Sequence, residues 1–228
     1  MDIAVTDDRD DLQALLRLMA WLSPAFPVGS FAYSGGLERA VHDGLVADSA
    51  GLGDWISTLM QNGSVWNDVV LLVEAHRAGA DAQRLAAVAE LAEALAGSKE
   101  RHDETLLLGN AFLSAAAAWP QEIFSMLPAR IAYPVAVGAI AGAHGIPAEK
   151  AAAAFLHALA SQMVSAGIRL GVGGQKDGVA ILARLEGFFA AMARRVAQSS
   201  LDDLGSASVQ ADIASLRHET QGTRLFRS

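Results

Sequence analysis

Six histidines (His42, His76, His102, His144, His157 and His218) and no cysteine are what this 228-residue chain offers for metal chemistry. Without cysteine there can be no disulfide, thiolate zinc site, iron–sulfur cluster or cysteine nucleophile. A helical zinc protease needs two histidines separated by three residues around a glutamate, and no pair here has that arrangement. Glu74 and His76 stand two apart, which sends them to different faces of a helix. The polar run "RHDE", Arg101 to Glu104, reads as a solvated helix surface. The glycine cluster "GVGGQKDG" invites a phosphate loop, but such a loop needs lysine directly after its last glycine, then serine or threonine. Here Gln175 intervenes and Asp177 follows Lys176. The dinucleotide pattern fails too, because Lys176 stands where its third glycine belongs. The cluster reads instead as a connection between helices that uses glycine's freedom. Ser30 and Ser34, in "VGSFAYSGG", lack the glycines that flank a nucleophile elbow on both sides. No catalytic set emerges, so the expectation is a non-catalytic chain with no metal or cofactor of its own. The alternative is a helical small-molecule enzyme using residues such as His157 and Arg169.

The elements around these residues are helical by composition. Hydrophobic residues make up 52% of the chain, much of it alanine, and charged residues only 18%. Alanine loses no side-chain entropy in a helix, which favours an all-α fold. Leu12, Leu15, Leu16, Met19 and Leu22 mark a first helix opened by Asp10 and Asp11. "SPAFPVG" breaks it, since Pro24 and Pro27 cannot continue the backbone ladder. Further helices are expected in "GLERAVHDG", on either side of Gly63, after Asp81, from about Ser98 to Trp119, and roughly from Pro128 to His144. The stretch Ala151 to Leu170 is apolar enough to suggest a membrane span, but His157, Gln162 and Arg169 favour a buried helix. "VAILARLEGFFAAMARRVAQ" supplies the last strong pattern, and periodicity fades after Ser199. The expectation is one domain over residues 1–228, a bundle of roughly ten helices with a flexible closing tail over residues 200–228. A net charge of −8 argues against nucleic acid as a partner. The acidic opening "MDIAVTDDRD" lacks the features of a secretory signal, which points to the cytoplasm.

Two segments stand apart from these helices, and the aromatic residues of the first, Phe26, Phe31 and Tyr33, either staple it to the core or form a recognition surface. "SPAFPVGSFAYSGGLE" carries two prolines, three glycines and three aromatic residues between plain alanine–leucine helices. "SLRHETQGTRLFRS" closes the chain with three arginines against one glutamate, on an acidic protein. Its few large apolar groups suit a segment that orders against a partner, with Arg217, Arg224 and Arg227 for charged bonds and Phe226 as an anchor.

The first segment resembles the signature of the UreF family of urease accessory proteins. The matching residues are Ser23-Pro24, Pro27-Val28-Gly29, Phe31-Ala32-Tyr33-Ser34 and Gly36-Leu37-Glu38. "GSKERHDETLLLGNAFL", "YPVAVGAIAGAHGIPAEKAAAAFLHALASQMVSAGIRL" with "GQKDG", and "RHETQGTRLFRS" are similar to later segments of the same family, in order. The resemblance implies an all-helical homodimer that binds UreD (also called UreH) and the GTPase UreG. It implies a part in GTP-dependent insertion of nickel into apo-urease, with nickel and GTP acting through the partner complex. The residues expected on its partner or dimer surfaces are Tyr33, Glu38, Arg169, Gln175, Arg217, His218, Glu219, Arg224 and Phe226.

Overall fold

A computed structural model describes residues 3–228, with side chains from Asp10 onward. The opening stretch considered above as a leader therefore lies largely outside the described side chains. Helices are α1 (Ile3–Trp21), α2 (Leu37–His42), α3 (Ser49–Asn62), α4 (Ser64–Ala78), α5 (Ala82–Ala94), α6 (Lys99–Ala116), α7 (Tyr133–Ala143), α8 (Ala148–Arg169), α9 (Gln175–Val196) and α10 (Val209–His218). Among the described residues there is no strand.

At the centre α4 packs on α7, which is apolar all round and buried over most of its length. Its two glycines, Gly138 and Gly142, have a packing role. A Cβ at Gly138 would lie 2.0 Å from the Leu72 carbonyl oxygen, so glycine alone lets the two backbones approach. Tyr133 and Pro134 form the first turn, where proline's missing N–H costs nothing. α6 covers another side of α7, and α8 and α9 form a packed pair joined to the centre through α3 and α4. α8 is the one described helix long and apolar enough to cross a membrane, and 44% of its apolar window is buried in this packing.

Local signals set the boundaries. Asp48, Asp81 and Ser98 each accept a hydrogen bond from the backbone N–H three residues on, at 2.8, 3.0 and 3.2 Å. Gly63 alone separates α3 from α4. The first helix begins at Ile3, before the acidic pair, and it buries Ala14, Leu18 and Trp21. Of the residues that marked the helix, Leu12, Leu15, Leu16 and Met19 are more than half exposed and Leu22 packs against the core.

The closing tail is where structure and sequence expectation part. It is neither featureless nor free in the structure. From Ser199 onward the chain is tied to α4: Trp66 Nε1 donates to the Asp203 carbonyl at 2.7 Å, and Asn67 Oδ1 accepts from Gly205 N at 2.8 Å. α10 follows and lies against α2 and α6. Gly36, at φ 82°, makes room for it, since a Cβ there would meet Ser215 N at 3.0 Å. The periodic signal is missed because α10 buries small residues, Ala211 and Ala214, and turns Val209, Ile213 and Leu216 outward. Phe226 is 4% exposed, so the expected partner anchor is seated on this chain's own body.

Candidate partner-binding surface

The signature segment after α1 turns through a 3-10 turn at Ser30–Ala32 and places Glu38 in the first turn of α2. Glu38 is 7% exposed and serves as an acceptor for the closing segment. Its Oε1 accepts from Leu225 N at 2.7 Å, and its Oε2 from Phe226 N at 2.9 Å. The His218 ring is fully buried between two carboxylates, with Nε2 3.1 Å from Glu38 Oε2 and Nδ1 2.6 Å from Glu100 Oε2. Only a ring protonated on both nitrogens donates to both. Burial works to raise the Glu38 carboxyl, but the Leu225 amide, His218 and the Phe226 amide outweigh it and hold it below the usual range.

Most of the other expected residues fall around this contact. Glu219 accepts from the backbone amide of Lys99 at 2.7 Å, a carboxylate at the amino end of α6. Arg224 pairs with Glu100. Arg169 donates to the Phe31 carbonyl at 2.6 Å and stacks its guanidinium 4.1 Å from the Phe226 ring centre. Tyr33 is buried, its carbonyl accepting from Gln162. Arg217 is exposed, 3.5 Å from Asp43. Gln175 opens α9 as an exposed residue and takes no part in this network. The structure thus brings Glu38, His218, Glu219, Arg224, Phe226 and Arg169 into one seam and leaves Arg217 and Gln175 outside it.

Sequence reasoning missed a second set. Arg101 and Glu104, taken above as solvated, point inward from α6, and Glu104 is 4% exposed. Arg101 pairs with Asp68 on α4 and lies 3.5 Å from Glu104. Burial pushes the Asp68 and Glu104 carboxyls above their usual range, and Arg101 recovers only part of that cost. Their spacing of three residues on one helix face was the only available signal, and the deciding partner is 33 residues away.

Two cavities flank the seam. One of about 320 Å³ is lined by Asp68, Arg101, Glu104, Ser34 and Ser215. Another of about 310 Å³ lies under the signature segment, lined by Tyr133, His157, Arg169 and Phe226. His157 and Arg169, the pair considered for an enzyme, do share that second cavity. Arg169 is committed to Phe31 and Phe226 there, and the His157 ring lies edge-on to Phe189. Among the described residues no three His, Cys, Asp or Glu side chains cluster as a metal site. At the rim, Phe31 is 72% exposed.

A family model described as UreF matches residues 46–186. A protein of Rhizobium johnstonii named urease accessory protein UreF is 73% identical over 224 residues, covering 98% of this chain and all of that protein. A Rhizobium etli protein of the same name is 71% identical over the same length and coverage. One from Agrobacterium fabrum is 63% identical over 215 residues, 94% of this chain and 96% of that protein.

Proposed function

This chain belongs to the UreF family, and from that premise we propose that it acts in urease maturation as a non-catalytic scaffold. It bridges UreD (UreH) and the GTPase UreG in the cytoplasm, supporting GTP-dependent nickel insertion into apo-urease. It supplies surfaces, while nickel is cargo and GTP belongs to the GTPase. The observation that carries the bridging role is the outward face of α10. Val209, Ile213 and Leu216 are 63, 42 and 50% exposed on successive turns, with Leu225 at 54% on the following segment and Arg217 on the same short helix. An aliphatic stripe rimmed by charge, on a helix that buries only alanines and a histidine, supports protein docking. We assign this face to UreD. The second surface is the signature segment, where exposed Phe31 stands beside the cavity that holds Tyr33 and Arg169, and we assign it to the homodimer that receives UreG.

Replacing Ile213 and Leu216 together by serine tests the first assignment. Both are surface residues, so helicity should stay as it is while capture of UreD, and urease activation with it, falls at least tenfold. Unchanged capture by a folded variant would remove α10 from the UreD contact.

A further inference from the structure

Below the seam lies a buried ionic network to which the docking surfaces above assign no role. Asp68, Arg101 and Glu104 have side chains only 13, 22 and 6% exposed, and two carboxylates share one guanidinium. Among the described residues, a side chain of the network meets the closing segment at Ser228, whose Oγ donates to Glu104 Oε2 at 2.7 Å; the Arg101 amide reaches Ser215 as well, through the Ser98 hydroxyl. Ser228 then reaches the signature segment. Its carbonyl accepts from Ser34 N at 2.9 Å and from the Ser34 hydroxyl, and its Oγ accepts from Gly35 N at 3.3 Å. One residue earlier, Arg227 N donates to the Ala32 carbonyl at 2.8 Å. Direct contacts therefore run from α4 through α6 and Ser228 to Ser34 and Gly35, and Ser34, Glu104 and Ser228 are all under 5% exposed.

A buried ion network of this kind is a poor way to hold two helices together. Apolar side chains of the same volume serve as well or better, because the charges must first leave water. What the network adds is an oriented acceptor at one point, 124 residues away in sequence from the hydroxyl it receives. We infer that Asp68, Arg101 and Glu104 are positioning residues that clasp the closing segment to the signature segment, and thereby set whether the α10 face is presented to its partner. This inference rests on the assignment of that face to UreD.

The test uses the full chain and amide hydrogen exchange. Glu104→Leu keeps the volume and removes the acceptor, and Glu104→Gln keeps an oxygen for Ser228. In the Leu variant the amides of Ser34, Gly35 and Arg227 should exchange at least tenfold faster, while amides in α4 and α7 keep their protection. The Gln variant should restore slow exchange. Ser228→Ala should loosen the same three amides, and adding it to Glu104→Leu should change nothing further at Ser34 and Arg227, which donate to backbone carbonyls, while Gly35 loses its own acceptor as well. UreD capture should fall in the Leu variant and return in the Gln variant. Unaltered exchange at Ser34 and Arg227, or a uniform rise across the chain, overturns the inference and makes the network ordinary core. If loosening leaves UreD capture intact while the Ile213 and Leu216 replacement abolishes it, the docking face stands and control through the clasp is refuted. If neither change affects capture, the UreD assignment itself has failed.

Discussion

Two carboxylates hold the same closing segment and do so in opposite electrostatic settings. Glu38 gathers donors: two backbone amides and a buried histidine ring converge on its two oxygens. Glu104 gathers little of its own, sharing Arg101 with Asp68 and taking one hydroxyl. The first ends below its usual range and the second above it, though both are almost wholly buried. Both side chains are shielded from solvent, but Glu104 lies deeper in the protein and has fewer donors aimed at it, and both differences push its carboxyl up. Glu38 is satisfied by the segment it binds. Glu104 stays above its usual range even with the Ser228 hydroxyl donating to it, which suits a point of control better than a point of strength.

The sharpest break in the comparison comes from Arg101→Met. It strips two buried carboxylates of the cation they share, and removing one partner of a buried ion network costs about 3–5 kcal/mol. The pH dependence has a definite sign. Asp68 and Glu104 are raised from ordinary values of 3.8 and 4.5, so their contribution is fullest below those values and is lost as pH rises through the raised ones. The variant should accordingly lose more stability at pH 8 than at pH 5 by urea denaturation. A loss independent of pH would show that packing of the Arg101 stem is what matters there.

Glu38→Ala should cost less, about 2 kcal/mol, because it leaves the Leu225 and Phe226 amides and His218 without their acceptor while the helices stay whole. Circular dichroism should be unchanged, and complex formation weakened. Here the sign reverses. Glu38 is lowered from 4.5, so its contribution is present above that value and is lost as pH falls through the lower, folded one. Segment protection in the unaltered protein should thus fade in acid, and the Ala variant should lack that acid limb. An acid limb of equal size in the variant would transfer the effect to another carboxyl.

These sites also show what a sequence can and cannot announce. Helix limits were legible wherever the cause is local: the caps at Asp81 and Ser98, the break at Pro24 and Pro27, the single Gly63 between α3 and α4. Glu38 stood out through its family signature, not through any property of the residue alone. Arg101 and Glu104 read as surface because a charged pair on a helix usually is, and only Asp68 on another helix turns them inward. α10 was missed for the converse reason. Its strongest apolar residues face out, so the pattern that marks a core helix is inverted there, and α1 repeats the inversion with Leu12, Leu15, Leu16 and Met19.

The smallest expected effect separates holding the segment from using it. Arg217 lies on α10 next to His218 yet belongs to neither carboxylate site; its side chain is 61% exposed, 3.5 Å from an Asp43 already engaged by Arg39. Exposed pairs of that geometry add little to stability, since solvent and salt screen them. Arg217→Ala should leave the melting temperature and the exchange of Ser34, Arg227 and Phe226 where they are. On the docking face, however, the same charge stands next to Leu216 with no buried contact of its own to keep. Its loss should weaken UreD capture and flatten the dependence of that capture on salt, because one fewer charge is there to be screened. A melting shift as large as that of Glu38→Ala would mean that the arginines of this segment serve the clasp. Unchanged capture and an unchanged salt dependence would confine recognition to the aliphatic residues of α10.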